Sequence, residues 1–108
     1  MSESDRRTQA RVPVEMWVEE ASDNAVYFQR SANVSIGGLF LENSVPHPAG
    51  TRVTLRFTLP GDETDIRTAA VIVRTEIGPV LGMHLQFVDL PEEAAARIDK
   101  FVARALQP

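Results

Sequence analysis

The chain contains no cysteine, which excludes a disulfide scaffold, a thiolate zinc site and a cysteine nucleophile. It has only two histidines, His47 and His84, so a transition-metal site would need carboxylates to complete it, and we expect both to be exposed or satisfied side chains. No apolar run approaches the roughly 20 residues of a membrane-spanning helix, and the first residues lack a signal peptide's apolar core. These absences favour a small cytoplasmic domain without a cofactor or metal.

Lysine is nearly absent as well, because all but one of the 11 basic residues are arginine. The 15 acidic residues give a net charge of −4, which argues against broad nucleic-acid binding. With one Trp and one Tyr, the chain has no basic aromatic stripe of the kind that binds single strands. A local arginine cluster can still hold a small anion, because the guanidinium fork fits phosphates and guanine edges.

The chain's 108 residues can bury one modest core, so we expect a single domain. Residues 1–10 are polar and aperiodic, which predicts a flexible N-terminal arm before a folded domain over residues 11–106.

Alternating apolar residues predict six short strands. In the first, residues 11–20, Val12, Val14, Met16 and Val18 share a face and Trp17 points the other way. The other five predicted strands are residues 25–35, 39–41, 51–60, 66–75 and 81–87. Short antiparallel strands with short connections suggest a barrel or sandwich, because closure removes exposed edges.

The apolar period becomes helical near the C-terminus. Asp89 and Glu92 have the spacing of a capping box, and an apolar stripe follows, so a helix is expected over about residues 90–106. We expect this helix to pack on the strands, with docking to a partner as the alternative. The fold class is therefore all-β with a C-terminal helix.

An arginine patch lies where the arm meets the first strand. Arg6, Arg7 and Arg11 can each donate paired hydrogen bonds to a phosphate or to the O6 and N7 edge of guanine. A solvated polar arm is the alternative interpretation. The R-x-x-x-R spacing says little by itself, because Arg52 and Arg56 repeat it inside a predicted strand.

A second patch follows the second predicted strand. Asn33 and Ser35 put two short polar side chains on the same side of an extended segment, and Gly37 and Gly38 allow close backbone approach by a ligand. The alternative is a tight turn in which the Asn and Ser side chains cap their own backbone.

Together and in this order, the patches resemble the PilZ domain family, bacterial receptor modules for the second messenger cyclic di-GMP. Arg7 and Arg11 match the family's R-x-x-x-R motif, and Asn33, Ser35 and Gly38 match its [Asp or Asn]-x-Ser-x-x-Gly motif. The resemblance extends over about residues 6–106, since the segment 82–87 is similar to the family's last strand and a helix follows it.

The resemblance implies a six-stranded antiparallel PilZ-type β-barrel with a C-terminal helix and no catalytic activity. In the implied site the arginines bind phosphate and guanine and stack on a base. The Asn and Ser side chains hydrogen-bond guanine, and the glycines leave space for the ligand. Asn in place of the commoner Asp removes one negative charge that could bind a guanine edge. The implied cyclic di-GMP site comprises Arg6, Arg7, Arg11, Asn33, Ser35, Gly37 and Gly38.

The function implied is a cyclic di-GMP receptor or adaptor in which the ligand orders the arm, residues 1–10, and so signals to a downstream protein partner. A PilZ-like protein-interaction module that does not bind cyclic di-GMP is the alternative. A nucleic-acid-binding barrel of the OB type is disfavoured by the net charge of −4. Both a monomer and a ligand-dependent dimer are compatible with the resemblance.

Overall fold

The structure, a computed structural model, describes residues 10–22 and 25–107. Seven strands and one helix are present in these two ranges. They are β1 (Val12–Pro13), β2 (Trp17–Ser22), β3 (Ala25–Val34), β4 (Gly38–Glu42), β5 (Arg52–Phe57), β6 (Ile66–Glu76), β7 (Gly82–Val88) and α1 (Glu92–Ala105).

Six of these strands close into an antiparallel barrel. Around the ring the order is β3, β2, β5, β6, β7 and β4, and β4 pairs with β3 to complete it. β1 follows the line of β2 along the same edge of β3. Closure pairs each of the six strands on both sides, which removes exposed edges. The predicted six-stranded barrel with a C-terminal helix is confirmed.

The first predicted strand, residues 11–20, is divided into β1 and β2, and Ser31 of β3 explains the break. Its Oγ donates to the carbonyl of Val14 at 2.7 Å and accepts the N–H of Met16 at 3.2 Å. The side chain therefore takes hydrogen bonds that a continuous ladder would use. The inward alternation still holds, because the four apolar residues predicted to share a face are all buried.

Helix α1 packs on the barrel, as predicted, with Ala94, Ile98 and Val102 buried in the same core cluster as the strands. The predicted capping box is wrong. Pro91 occupies the N-cap position with extended backbone and no side-chain cap. Asp89 stands in the preceding turn at φ 52°, too early to cap the helix.

A buried polar cluster fastens the loop after β4 to the barrel. The Glu20 carboxylate is fully buried, accepts a hydrogen bond from the Gln29 amide and lies 3.1 Å from His47 Nδ1. Gln29 in turn accepts the N–H of Val45 at 2.9 Å. His47 is thus a satisfied histidine, as predicted, and this cluster explains how a carboxylate is tolerated in the barrel interior.

Candidate ligand-binding site

The structure brings the two sequence patches into direct contact. Arg11 directly precedes β1, and Asn33 pairs with Pro13 across β1 and β3. Nη1 of Arg11 donates to Oδ1 of Asn33 at 2.9 Å, although the two residues are 22 positions apart. Arg11 is exposed and Asn33 half-buried, so both remain accessible to a ligand on the outer barrel surface. Arg6 and Arg7 lie outside the described residues.

Ser35 is part of a tight turn between β3 and β4. Its Oγ accepts the N–H groups of Gly37 and Gly38 at 3.2 and 3.3 Å and lies 3.4 Å from the carbonyl of Gly38, to which it donates. The side chain is almost fully buried. The self-capping turn is therefore what the structure shows for this residue, and a guanine contact from Ser35 stays a prediction.

The two glycines differ in what surrounds them. A Cβ atom on Gly38 would lie 1.9 Å from the carbonyl oxygen of Leu85, so β4 can approach β7 only with glycine here. A Cβ atom on Gly37 would meet only Ser35 Oγ, at 3.8 Å. The carbonyl of Gly37 accepts the N–H of Phe87 at 2.8 Å. The turn is thus fixed on β7, while the Gly37 position retains space for a ligand.

Strand pairing places three residues that were not predicted for the site, Phe40, His84 and Arg74, in a row with Asn33. Asn33 pairs with Phe40, Phe40 with His84, and His84 with Arg74. With about 4.8 Å between neighbouring strands, the row spans about 15 Å on the outward side of the sheet, and Phe40 within it is only 9% exposed. The rings of Phe40 and His84 lie 4.5 Å apart, and Phe40 lies against Gly82, where a Cβ atom would be 2.3 Å from its ring.

A triad of polar side chains, Arg74, Glu76 and His84, ends this row. Nε2 of His84 lies 3.0 Å from Nη2 of Arg74 and 3.0 Å from Oε1 of Glu76, and Arg74 donates to the same carboxylate at 3.1 Å. Sequence reasoning did not include this triad. Alternation had placed His84 opposite Leu85, but its neighbours on β6 follow only from the register, which contains a bulge between Ile72 and Arg74.

We expect the carboxyl of Glu76 to titrate below its ordinary pKa of 4.5, mainly because His84 hydrogen-bonds to it. Partial burial opposes this lowering of the pKa, and the positive charge of Arg74 adds to it. Since folding lowers this pKa, the carboxylate stabilises the fold above about pH 4.5, and that contribution is lost as the pH falls through the folded pKa. A carbon-13 NMR titration of the Glu76 carboxyl checks this. The midpoint should rise in His84→Leu, and an identical midpoint in both proteins would contradict the assignment.

Neither a metal-ligand cluster nor a membrane-spanning helix is found in the part of the chain that is described. Within residues 10–22 and 25–107, no group of three or more histidine and carboxylate side chains could hold a metal ion. Helix α1, the helix found in these ranges, lacks the length and apolar character needed to cross a membrane.

Several solved structures share this fold, and three of them are from PilZ-domain proteins or motility regulators. The Bacillus subtilis inhibitor of motility MotI/DgrA matches with a TM-score of 0.78 and 21% identity, over 87% of this chain and 48% of that one. This chain therefore spans about half the length of that protein. The PilZ domain of Escherichia coli YcgR, solved with c-di-GMP, matches with a TM-score of 0.68 and 14% identity, over 93% and 91% of the two chains.

The third is the PilZ domain of CeSA from a cellulose-synthesizing bacterium, with a TM-score of 0.67 and 20% identity, over 89% of this chain and 97% of that one. At sequence identities of 14–21%, these structural similarities show a shared fold and nothing more.

The comparison with curated protein sequences finds no match. A family model, described as the PilZ domain, matches residues 5–104. Since that match covers nearly the whole sequence and the barrel agrees with it, the chain belongs to the PilZ domain family.

Proposed function

We propose that this protein is a cyclic di-GMP receptor without catalytic activity. The contact between Arg11 and Asn33 carries the proposal, because it joins the two family motifs at one place on the barrel surface. In this proposal Arg11, with Arg7 and Arg6, binds phosphate and guanine, and the Asn33 amide binds a guanine edge. The fixed turn at Gly37 and Gly38 forms the floor of the site.

The ligand's chemistry fits these side chains. Cyclic di-GMP has two phosphates and two guanines, and arginine can pair with phosphate through two parallel hydrogen bonds or with the O6 and N7 atoms of guanine. Hydrogen bonds to charged groups contribute about 1.5–3 kcal/mol each. Micromolar binding needs about 8.2 kcal/mol net, so two or three such bonds supply only part of it. Stacking of a guanine on an arginine plane would have to contribute as well.

The proposed output is a change in the N-terminal segment, residues 1–10. Ligand contacts from Arg6, Arg7 and Arg11 would hold this segment against the barrel, and a downstream protein partner in the cytoplasm would recognise the resulting surface. NMR relaxation of the backbone amides from Arg6 to Arg11 tests this step. Unchanged relaxation on saturation with cyclic di-GMP would refute it.

A PilZ module that acts through protein contacts alone is the second candidate. It is favoured by Ser35, whose hydroxyl is buried and engaged with the backbone of its own turn. If this candidate is right, the barrel folds normally and no ligand binds.

Calorimetric titration separates the two candidates. The purified chain is titrated with cyclic di-GMP, and in parallel with GMP and cyclic di-AMP. The receptor proposal predicts saturable heat with cyclic di-GMP alone, with a stoichiometry that reports one ligand or a pair. Absence of binding up to high micromolar ligand would overturn the receptor and leave the interaction module. Sedimentation with and without ligand reports whether dimers form.

A further inference from the structure

Four positions of strand β3 reverse the usual distribution of polar and apolar side chains in a barrel, whereas Arg30 and Val34 of the same strand follow it. Its inward positions hold Gln29, 6% exposed, and Ser31, fully buried. Its outward positions hold Val26 and Phe28, which are 56% and 67% exposed. Exposed aromatic side chains contribute nothing to the core of a lone domain, and an apolar patch on the surface is typical of a binding surface.

The neighbouring strand enlarges this patch. Trp17 of β2, 66% exposed, and Phe28 lie on the same outer face, because Trp17 pairs with Arg30 and Glu19 with Phe28. The Arg30 guanidinium lies 5.9 Å from the centre of the Trp17 ring and pairs with Glu15 at 3.3 Å. The indole face towards Arg30 is therefore partly occupied, and the rest of the ring is open to solvent.

A groove of about 650 Å³ runs between these rings and the loop that follows β5. That volume is within the range of sites that enclose a ligand or an anchoring side chain. The lining includes three carboxylates, Glu19, Glu63 and Asp65, against one guanidinium, Arg56. Arg56 is already paired, 2.9 Å from Glu19 and 3.7 Å from Asp65. Asp65 also lies 3.4 Å from Arg67. The groove is therefore apolar on one side, and the other side carries Glu63 beside two carboxylates that arginines already contact.

The loop wall of the groove is held in place by helix α1. Arg97 donates to the carboxylate of Asp62 at 3.0 and 3.2 Å and also to the carbonyl of Thr64. These bonds fix the loop that carries Glu63 and Asp65. The groove is thus preformed, which lowers the cost of binding.

We propose that this groove, formed by β2, β3 and the loop after β5, docks a basic segment of a partner protein that inserts an apolar side chain against Trp17 and Phe28. Charge complementarity selects this occupant, because a lysine or arginine beside the apolar side chain would face Glu63 first. Glu19 and Asp65 lie next to it, but Arg56 and Arg67 already contact them. A second copy of the folded domain is disfavoured, because the chain has a net charge of −4. The site requires neither cyclic di-GMP nor the Arg11 contact.

Peptide selection tests the proposal without a known partner. A displayed library of random peptides is selected on the intact protein and counter-selected on Phe28→Ser. We expect enriched peptides to contain an aromatic or aliphatic residue flanked by lysine or arginine. Enrichment of acidic or uncharged peptides, or no enrichment, would overturn the proposal.

The single tryptophan of the chain then reports on the site directly. An enriched peptide should shift the Trp17 emission to shorter wavelength in a saturable manner, with affinity about tenfold weaker in Phe28→Ser and weaker in Glu63→Gln. Ile77→Ser is the matched control, because Ile77 is 80% exposed but lies outside the groove, and it should bind like the parent. Equal affinity in Phe28→Ser, or an emission shift caused by self-association without peptide, would refute the docking site. Calorimetry with cyclic di-GMP remains a separate measurement, so failure of the groove and failure of the receptor function are distinguishable.

Discussion

Replacing Gly38 with alanine should lower the free energy of unfolding by about 3 kcal/mol or more, which places it at the upper end of overpacking substitutions. The added Cβ atom would lie 1.9 Å from the Leu85 carbonyl oxygen, 3.0 Å from its carbon and 3.1 Å from Gln86 Cα. All three atoms are backbone, so no side-chain rotation relieves the overlap. β4 and β7 would have to separate where the barrel ring depends on their pairing.

Thermal and urea denaturation measure this effect, and Gly37→Ala is the matched control. One residue away, the same methyl group meets only Ser35 Oγ at 3.8 Å, an ordinary contact, so its stability should stay close to that of the parent. For a domain of this size the Gly38 substitution should lower the Tm by at least about 10 °C. Equal Tm values for the two variants would show that β4 and β7 are not as close as described.

Replacing Arg11 with alanine should weaken cyclic di-GMP binding about ten- to hundredfold. Under the receptor proposal the substitution removes charge-assisted hydrogen bonds of about 1.5–3 kcal/mol. Arg11→Lys keeps the charge but loses the planar fork, so its affinity should lie between those of the parent and the alanine variant. Arg11 is exposed, and its described side-chain bond is the one to Asn33, so the Tm should change little.

The sequence itself provides the control for this prediction. Arg52 and Arg56 repeat the R-x-x-x-R spacing, but both lie on β5, away from β1 and β3 in the ring order. Arg52→Ala removes the same charge from the chain and should leave the affinity unchanged. If both variants lose affinity equally, net charge rather than a site at Arg11 governs binding. If neither does, the proposed role of Arg11 is wrong.

The barrel was predictable because alternation alone determines which side chains face inward on most strands. On β5, for example, Val53, Leu55 and Phe57 are buried and Arg52, Thr54 and Arg56 exposed, as their period of two requires. Division of the first strand was not predictable, because it depends on Ser31 bonding to Val14 and Met16 across the sheet. Likewise, the burial of the Glu20 carboxylate depends on Gln29 and His47, which lie 9 and 27 positions away in the sequence.

The position of the two motifs on the barrel was predictable, but the residues beside them on β4, β6 and β7 were not. The order of the arginine and Asn-Ser-Gly motifs pointed to one location, and the Arg11–Asn33 bond agrees with that. Phe40, His84 and Arg74 join Asn33 only through strand register, which single-sequence patterns do not supply. Gly38 was expected to leave room for a ligand, whereas the structure gives it a packing reason in the approach of β4 to β7.

Nitrogen-15 NMR of the labelled protein tests most directly where cyclic di-GMP binds. Under the receptor proposal, the ligand binds on the outer surface where β1, β3 and the glycine turn meet. Saturable shift changes should therefore concentrate at the backbone amides of Arg11, Asn33, Gly37 and Gly38, with smaller changes at His84. The Trp17 and Phe28 amides in the groove should move least. Unchanged amide chemical shifts at Arg11 and Gly37, or shift changes centred on the groove, would contradict this location of the ligand site.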